Sequence, residues 1–283
     1  QLIQAGDGEN TIHTGLGDST VVTGSGDDTV TTGDGAQKIS AGMGINVIET
    51  AAGDSIIVTE SGDDTIIAGD GNQAIVAGDG DNIIKTGDGN SRISAGDGDD
   101  HITLGNGDQM VSADEGDNYI SVGDGNSQIR SGSGDDQITI GDGDQIIQAG
   151  SGDNTISVGD GDSIIISGAG SDSITMGDGD HRIDAGDGDN VIHTGTGADQ
   201  IITGEGVDVI KSGAGNDHIT AGNGADIIDG GEGTDTVNYQ NSEQAIHVDL
   251  AAGTGSGGDA DGDILKNIEN IEGTSQADTI IGS

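Results

Sequence analysis

Ala5-Gly6-Asp7-Gly8-Glu9-Asn10-Thr11-Ile12-His13 opens a run in which one nine-residue phrase, x-G-x-G-x-x-x-(Ile/Val)-x, returns as far as Asn238. Isoleucine or valine holds the eighth position of every unit from Ile12 to Val237, so residues 5–238 divide into 26 units without insertion or deletion. A period that tolerates no one-residue slip requires the units to stack on one another. The chain is therefore expected to be a solenoid, with its chemistry in the loops.

Within a unit the glycines stand mostly at the second and fourth positions, where a tight turn needs positive φ and close backbone approach. Positions seven to nine are often β-branched, as in Thr155-Ile156-Ser157 and Ile164-Ile165-Ile166, which suits a short strand. Side chains alternate along a strand, so an inward eighth residue leaves the seventh and ninth outside and turns the next unit's first residue inward. That first residue is mostly small or apolar: Ala5, Ala41, Leu104, Val122, Ile140, Met176. A three-residue strand with a six-residue turn makes half a coil, so two units close a coil of 18 residues. Stacking at roughly 4.8 Å per strand would make a rod of about 60 Å, with two facing Ile/Val ladders inside. A helical array is excluded, because glycine at this density costs about 1 kcal/mol per residue in a helix.

Composition narrows the partners. The chain has 283 residues, 57 glycines, 52 acidic against 7 basic residues, a net charge of −45, and no Cys, Pro, Phe or Trp. Such a charge speaks against nucleic acid and anionic membrane, and points to cations. High charge with few aromatics would by itself indicate disorder, but an in-register apolar column does not survive in a random acidic coil. Folding is thus expected to depend on charge neutralisation. Absence of Cys fits an extracellular protein that is stabilised without disulfides. No 18-residue apolar stretch exists, so no membrane insertion is expected. The sequence begins at Gln1 without a signal-like segment and ends in the repeat-like phrase Gln276-Ala277-Asp278-Thr279-Ile280-Ile281-Gly282, as expected of a piece cut from a longer chain.

The unit resembles the RTX (repeats-in-toxin) nonapeptide, G-G-x-G-x-D-x-U-x, of large secreted bacterial adhesins and of the C-terminal modules of secreted enzymes. Gly230-Gly231-Glu232-Gly233-Thr234-Asp235-Thr236-Val237-Asn238 fits it at every fixed position. The resemblance covers about residues 5–238. It implies an all-β fold, a right-handed parallel β-roll, with several calcium ions between successive loops on one edge, bound by loop carbonyls and the sixth-position Asp. It also implies an extracellular or cell-surface location reached by type I secretion of the parent chain. We divide the chain into a repeat roll, residues 1–238, and a C-terminal cap or linker, residues 239–283. The phrases Gly258-Asp259-Ala260-Asp261-Gly262-Asp263 and Asn267-Ile268-Glu269-Asn270-Ile271-Glu272-Gly273 in that tail resemble segments that follow or separate such blocks.

The chain departs from the family pattern where the chemistry lies. The leading glycine is replaced in every unit except the last, and the sixth position cycles Asn10, Ser19, Asp28, Gln37, then Asn46, Ser55, Asp64, Gln73. The cycle runs on to Asp172; His181 then replaces a Gln, and after Asn190 the position is always Asp. Two coils make this 36-residue period, so the two edges of the roll differ. One edge stacks Asn10, Asp28, Asn46, Asp64, Asn82, Asp100, Asn118, Asp136, Asn154, Asp172, Asn190, Asp208 and Asp226. The other stacks Ser and Gln up to Ser163, then His181, Asp199, Asp217 and Asp235. Calcium wants six to eight oxygens, and Ser with Gln forms a weaker, uncharged set than Asp with Asn. The Asn and Asp residues of the first edge, with Asp199, Asp217 and Asp235, are the expected calcium ligands. On the Ser/Gln edge we expect hydrogen bonds from Ser and Gln to the backbone instead. Asp at third and fifth positions is expected mostly to be solvated.

No H-E-x-x-H, G-x-S-x-G elbow or Cys nucleophile occurs, the six histidines are scattered, and the G-x-G phrases lack a following helix to receive phosphate. The expectation is a non-enzymatic, structural calcium-binding module: a rigid spacer or adhesin segment that folds on export. Its partners would be calcium and other segments of the same long chain. Two alternatives stand beside it. Outward Thr103, Ser121, Thr139, Ser157 and Thr175 form a regular column of the kind an ice-binding face needs, though Glu49, Ile67, Lys85, His193 and Lys211 interrupt it outside that stretch. The chain would also suit a non-catalytic β-roll appendix of a secreted hydrolase or epimerase.

Overall fold

The computed structural model describes residues 1–282. The chain is an all-β parallel β-solenoid of the β-roll type, built as two compact units, Gln1–Asp142 and Gly143–Ser283. Strands of three to five residues alternate between two main sheets and pair in parallel at 18-residue intervals through the repeats, and Ala214–Gly215 with Glu232–Gly233 adds a small two-stranded sheet in the loops. In the first unit, one sheet pairs Ile84 with Ile102, Ile102 with Ile120 and Ile120 with Ile138. The other pairs Ile93 with Val111 and Val111 with Ile129. The second unit repeats the scheme, with Ile156 on Ile174 on Ile192 in one sheet and Ile147 on Ile165 on Ile183 in the other. Eighteen residues per coil is the period the nine-residue phrase implies.

Burial follows the alternation. His101–Leu104 and Gln137–Ile140 bury only their second and fourth residues, the eighth of one unit and the first of the next. Ala41, Leu104, Val122, Ile140 and Met176 are buried as expected, whereas Ala5, in the terminal coil, is half-buried. Each ladder isoleucine removed from water contributes about 1.5–3 kcal/mol, so the column stands in for an aromatic core.

The glycines are required by how closely the loops stack. Gly44 adopts φ +125°, and a Cβ there would lie 2.6 Å from the Gly26 carbonyl oxygen of the coil before. Neither that conformation nor that approach admits another residue. The loops are tied by backbone bonds as well, such as Gly44 N–H to Ser61 O at 3.0 Å.

The nine-residue period stops at Asn238, but parallel stacking does not. Ile264–Lys266 pairs with Ile227–Asp229, and Asn270–Glu272 pairs with Thr236–Asn238. Between them His247–Asp249 and Thr254–Ser256 form an antiparallel pair, followed by a single 3-10 turn, Gly258–Ala260. Thr279–Ile281 then stacks in parallel on His247–Asp249. Tyr239 is buried under this insertion and donates its hydroxyl to Asp263 Oδ2 at 2.6 Å. Among the described residues no helix is long and apolar enough to cross a membrane.

Candidate metal centre

The sixth residue of each unit ends the turn and leads into the strand. Every sixth-position Asp and Asn is buried except Asn10, which is half-buried in a terminal coil. Their Oδ1 atoms form a ladder, each accepting the backbone N–H of the residue 18 positions earlier. In the first unit Asp28 Oδ1 accepts from Asn10 N at 2.8 Å, Asn46 Oδ1 from Asp28 N at 3.2 Å, and Asp64 Oδ1 from Asn46 N at 2.7 Å. Asp100 and Asp136 take the N–H groups of Asn82 and Asn118, each at 2.9 Å. In the second unit Asn154, Asp172, Asn190 and Asp208 donate in the same way to Asp172, Asn190, Asp208 and Asp226. On its other edge Asp217 accepts from Asp199 N, and Asp235 from Asp217 N, both at 2.9 Å.

The second polar atom of each group separates Asn from Asp. Asn46 Nδ2 donates to the carbonyls of Gly42 and Gly44, the second and fourth residues of its own unit, each at 3.0 Å. Asn82 makes the same pair with Gly78 and Gly80, and Asn190 with Gly186 and Gly188. In the Asp units the matching atom is an oxygen, with nothing to donate. Oδ2 of Asp28, Asp64, Asp100, Asp172, Asp199, Asp208, Asp217, Asp226 and Asp235 is buried with no hydrogen-bond partner, and the hydroxyls beside five of them, Thr59, Ser167, Thr194, Thr203 and Ser212, donate instead to backbone carbonyls. A buried carboxylate oxygen without a donor costs several kcal/mol.

Burial lifts the Asp100 carboxyl to about 7, against the N–H bond from Asn82 that lowers it. Asp226 is also pushed up to about 7, by burial and then by the charges of Asp263 and Asp208. Asp217 rises to about 6 by burial, with the charges of Asp199 and Asp235 adding to it. These loops hold negative charge that the chain's own donors leave unbalanced. A hard cation bound by carbonyls and single carboxylates suits this donor set. Among the described residues no three His, Cys, Asp or Glu side chains converge as a metal cluster, so backbone oxygens would have to supply most of a ligand shell.

The Ser/Gln edge is closed differently. Gln37 Nε2 donates to Gly33 O at 3.0 Å and Gly17 O at 3.3 Å, joining its own loop to the loop before. Gln73 and Gln109 repeat this with Gly69 and Gly53, and with Gly105 and Gly89. The expected side-chain bonds to backbone are present for Gln. Among the serines, Ser163 Oγ makes the expected contacts, long at 3.5 Å, with Gly143 O and Gly161 O, whereas Ser91 Oγ accepts the Gln73 N–H at 3.3 Å and Ser55 Oγ has no partner. His181 follows the Gln pattern, with Nδ1 facing the Ser163 N–H and Nε2 3.1 Å from Gly177 O, which suits the tautomer protonated at Nε2.

Two features escape a reading by motif. Third- and fifth-position Asp, expected to be solvated, are exposed yet bonded: Asp70 Oδ1 accepts Asp88 N at 3.0 Å, and Asp88 Oδ1 accepts Asn106 N at 2.8 Å. A short acid in a turn competes for the nearest free N–H, here supplied by the next coil. The tail also continues the sixth-position ladder. Asp263 Oδ1 accepts Asp226 N, Glu269 Oε2 accepts Asp235 N, and Asp278 Oδ1 accepts Ile246 N. The available signal was an acid two residues before Leu265, Ile271 and Ile280.

The profile of the RTX calcium-binding nonapeptide repeat, in four copies, matches residues 4–36, 40–72, 76–108, 112–144, 139–174, 175–210 and 202–237. The chain belongs to this family. Its repeats bind calcium, and repeats along most of the chain mean several ions. No curated protein matches the chain. The RTX β-roll thus accounts for both the stacked glycine loops and the carboxylates buried in them.

Proposed function

We propose that this RTX roll is a structural segment of a secreted or cell-surface bacterial protein, a rigid spacer or adhesin module that folds when calcium binds after export. The buried, donor-less Oδ2 of Asp28, Asp64, Asp100, Asp172 and the sixth-position aspartates from Asp199 to Asp235 carries this reading. The ions would be held at Asp28, Asp64, Asp100, Asp136 and Asp172, and then at Asp199, Asp208, Asp217, Asp226 and Asp235. Calcium supplies the positive charge these loops lack. Before export, where free calcium is scarce, self-repulsion within a net charge of −45 opposes completion of the fold. Extracellular modules bind calcium at roughly 0.1–1 mM, a range in which the ion is a reporter of location.

Calcium titration of the chelated chain, followed by far-UV circular dichroism, tests the reading. The β signal should fall on chelation at moderate salt, as most of the chain loosens, and be regained with calcium, while sodium chloride restores little. An unchanged signal after exhaustive chelation would exclude a calcium-driven fold.

A further inference from the structure

Asn and Asp at the sixth position share one pose, set by the Oδ1 that accepts the N–H from the previous coil. The remaining atom of the planar group therefore falls at corresponding places in the two residues. In Asn46, Asn82 and Asn190 that atom is Nδ2, and it donates to the second and fourth glycine carbonyls of its own unit. In Asn10 and Asn46 it also donates to the carboxylate of the next coil, Asp28 at 2.9 Å and Asp64 at 3.0 Å. The partners of this amide are thus two carbonyl oxygens and a carboxylate oxygen, the set a hard cation would choose. In Asp100 the corresponding atom is a buried Oδ2 with no donor.

We propose that the chain carries its own cation substitutes: the side-chain amides of the sixth-position Asn and Gln, and the His181 imidazole, close their loops in place of calcium, which is taken up only at the aspartates. This rests on the calcium reading above and divides the loops within it. The Gln amides supply an independent parallel. Gln109 Nε2 reaches Gly89 O of one coil and Gly105 O of the next, at 2.7 and 3.3 Å, joining carbonyls of successive loops by a donor. Over residues 10–190 calcium would then recur every 36 residues on one edge only, with amide-closed loops between. From Asp199 to Asp235 every unit would require an ion. The amides neutralise partial charges of carbonyls without adding formal charge, so they hold their loops at any calcium concentration. The Asn side chains, which the sequence places among the ligands, act in this scheme by occupying the ion's neighbourhood themselves.

Two variants of the full chain test the division, read by native mass spectrometry of the calcium-loaded protein and by thermal midpoints with and without chelator. Asp100→Asn should lower the number of bound ions by one and raise the midpoint in chelator, because the new amide donates to Gly96 O and Gly98 O. Asn82→Ala should leave the ion count unchanged and lower the midpoint equally with and without calcium. An unchanged ion count in Asp100→Asn, or loss of an ion in Asn82→Ala, would overturn the proposal by making the asparagine a ligand. Failure of the unaltered chain to bind any ion would instead remove the calcium reading itself. If Asp100→Asn does not fold, Gln109→Glu gives the converse test: one ion gained, and a midpoint in chelator lower than that of the unaltered chain. A Gln109→Glu count equal to that of the unaltered chain would also overturn the proposal.

Discussion

The two edges of the first unit share one turn geometry and one pattern of glycines, yet their Gln and Asp loops are closed by opposite chemistry. At Gln37, Gln73 and Gln109 a side-chain donor meets the loop carbonyls. At Asp28, Asp64 and Asp100 an oxygen is buried with no donor to meet it. The turn geometry is therefore indifferent to the sixth side chain, and the balance of donors and acceptors at that one position decides whether a loop is complete by itself. An all-Asp roll depends on the ion at every loop. Distributing Asn, Gln and Ser among the aspartates keeps part of the stack intact without it.

The largest expected effect ignores the edges and sets the scale. Ile120→Asp places an unpaired charge at a position with no exposure, between Ile102 and Ile138, and should cost more than about 4 kcal/mol. Its thermal midpoint should collapse whether or not calcium is present; a tolerated substitution would disprove the inward register. Next comes calcium removal, worth about 1.4 kcal/mol per site when free calcium is tenfold above the dissociation constant. Hydrogen exchange after chelation should rise first over residues 199–238, where every sixth position is Asp, and last at the loops of Gln73 and Gln109. Uniform loss of protection along the chain would erase the distinction between the edges.

Gln109→Ala should cost about 1–3 kcal/mol, since it strips the donor from Gly89 O and Gly105 O and the acceptor from Ser91 N. The loss should be the same in calcium and in chelator, whereas Asp100→Ala, which strips the acceptor from Asn82 N in both conditions, should lower the midpoint more in calcium, where an ion is lost as well. Acidity separates the edges more gently. The Asp100 and Asp226 carboxyls, raised to about 7 by burial, hold their protons in the ion-free fold down from that pH, while in the unfolded chain they release them above about 4. The folded state binds more protons in that window, so the ion-free midpoint should rise by a few degrees as pH falls from about 7 to about 4. With calcium present the trend should reverse, because protons then compete with the ion. A midpoint in chelator that falls on mild acidification would contradict the burial of these carboxylates. Ser91→Ala is the smallest change: its 3.3 Å contact with Gln73 N is worth less than about 1 kcal/mol.

The sequence by itself determined the coil. A strict nine-residue column of Ile and Val, with glycine at fixed offsets, admits parallel stacking and nothing else, and the inward burial of Ile102, Ile120 and Ile138 follows from that pattern. It also separated the edges, because the Asn-Ser-Asp-Gln cycle has twice the period of the coil. Tertiary structure decided where the second atom of each sixth side chain goes, since donors and acceptors 18 residues apart are neighbours only once the coils are stacked. It decided that Asp70 and Asp88, though exposed, are also ladder acceptors. It decided also that Asp263 and Glu269 continue the sixth-position ladder beyond the last regular unit. An insertion breaks the period there while the parallel pairing resumes, and pairing across an insertion depends on the free N–H groups of the coil beneath, so an acid two residues before an apolar one marks a candidate without fixing its partner.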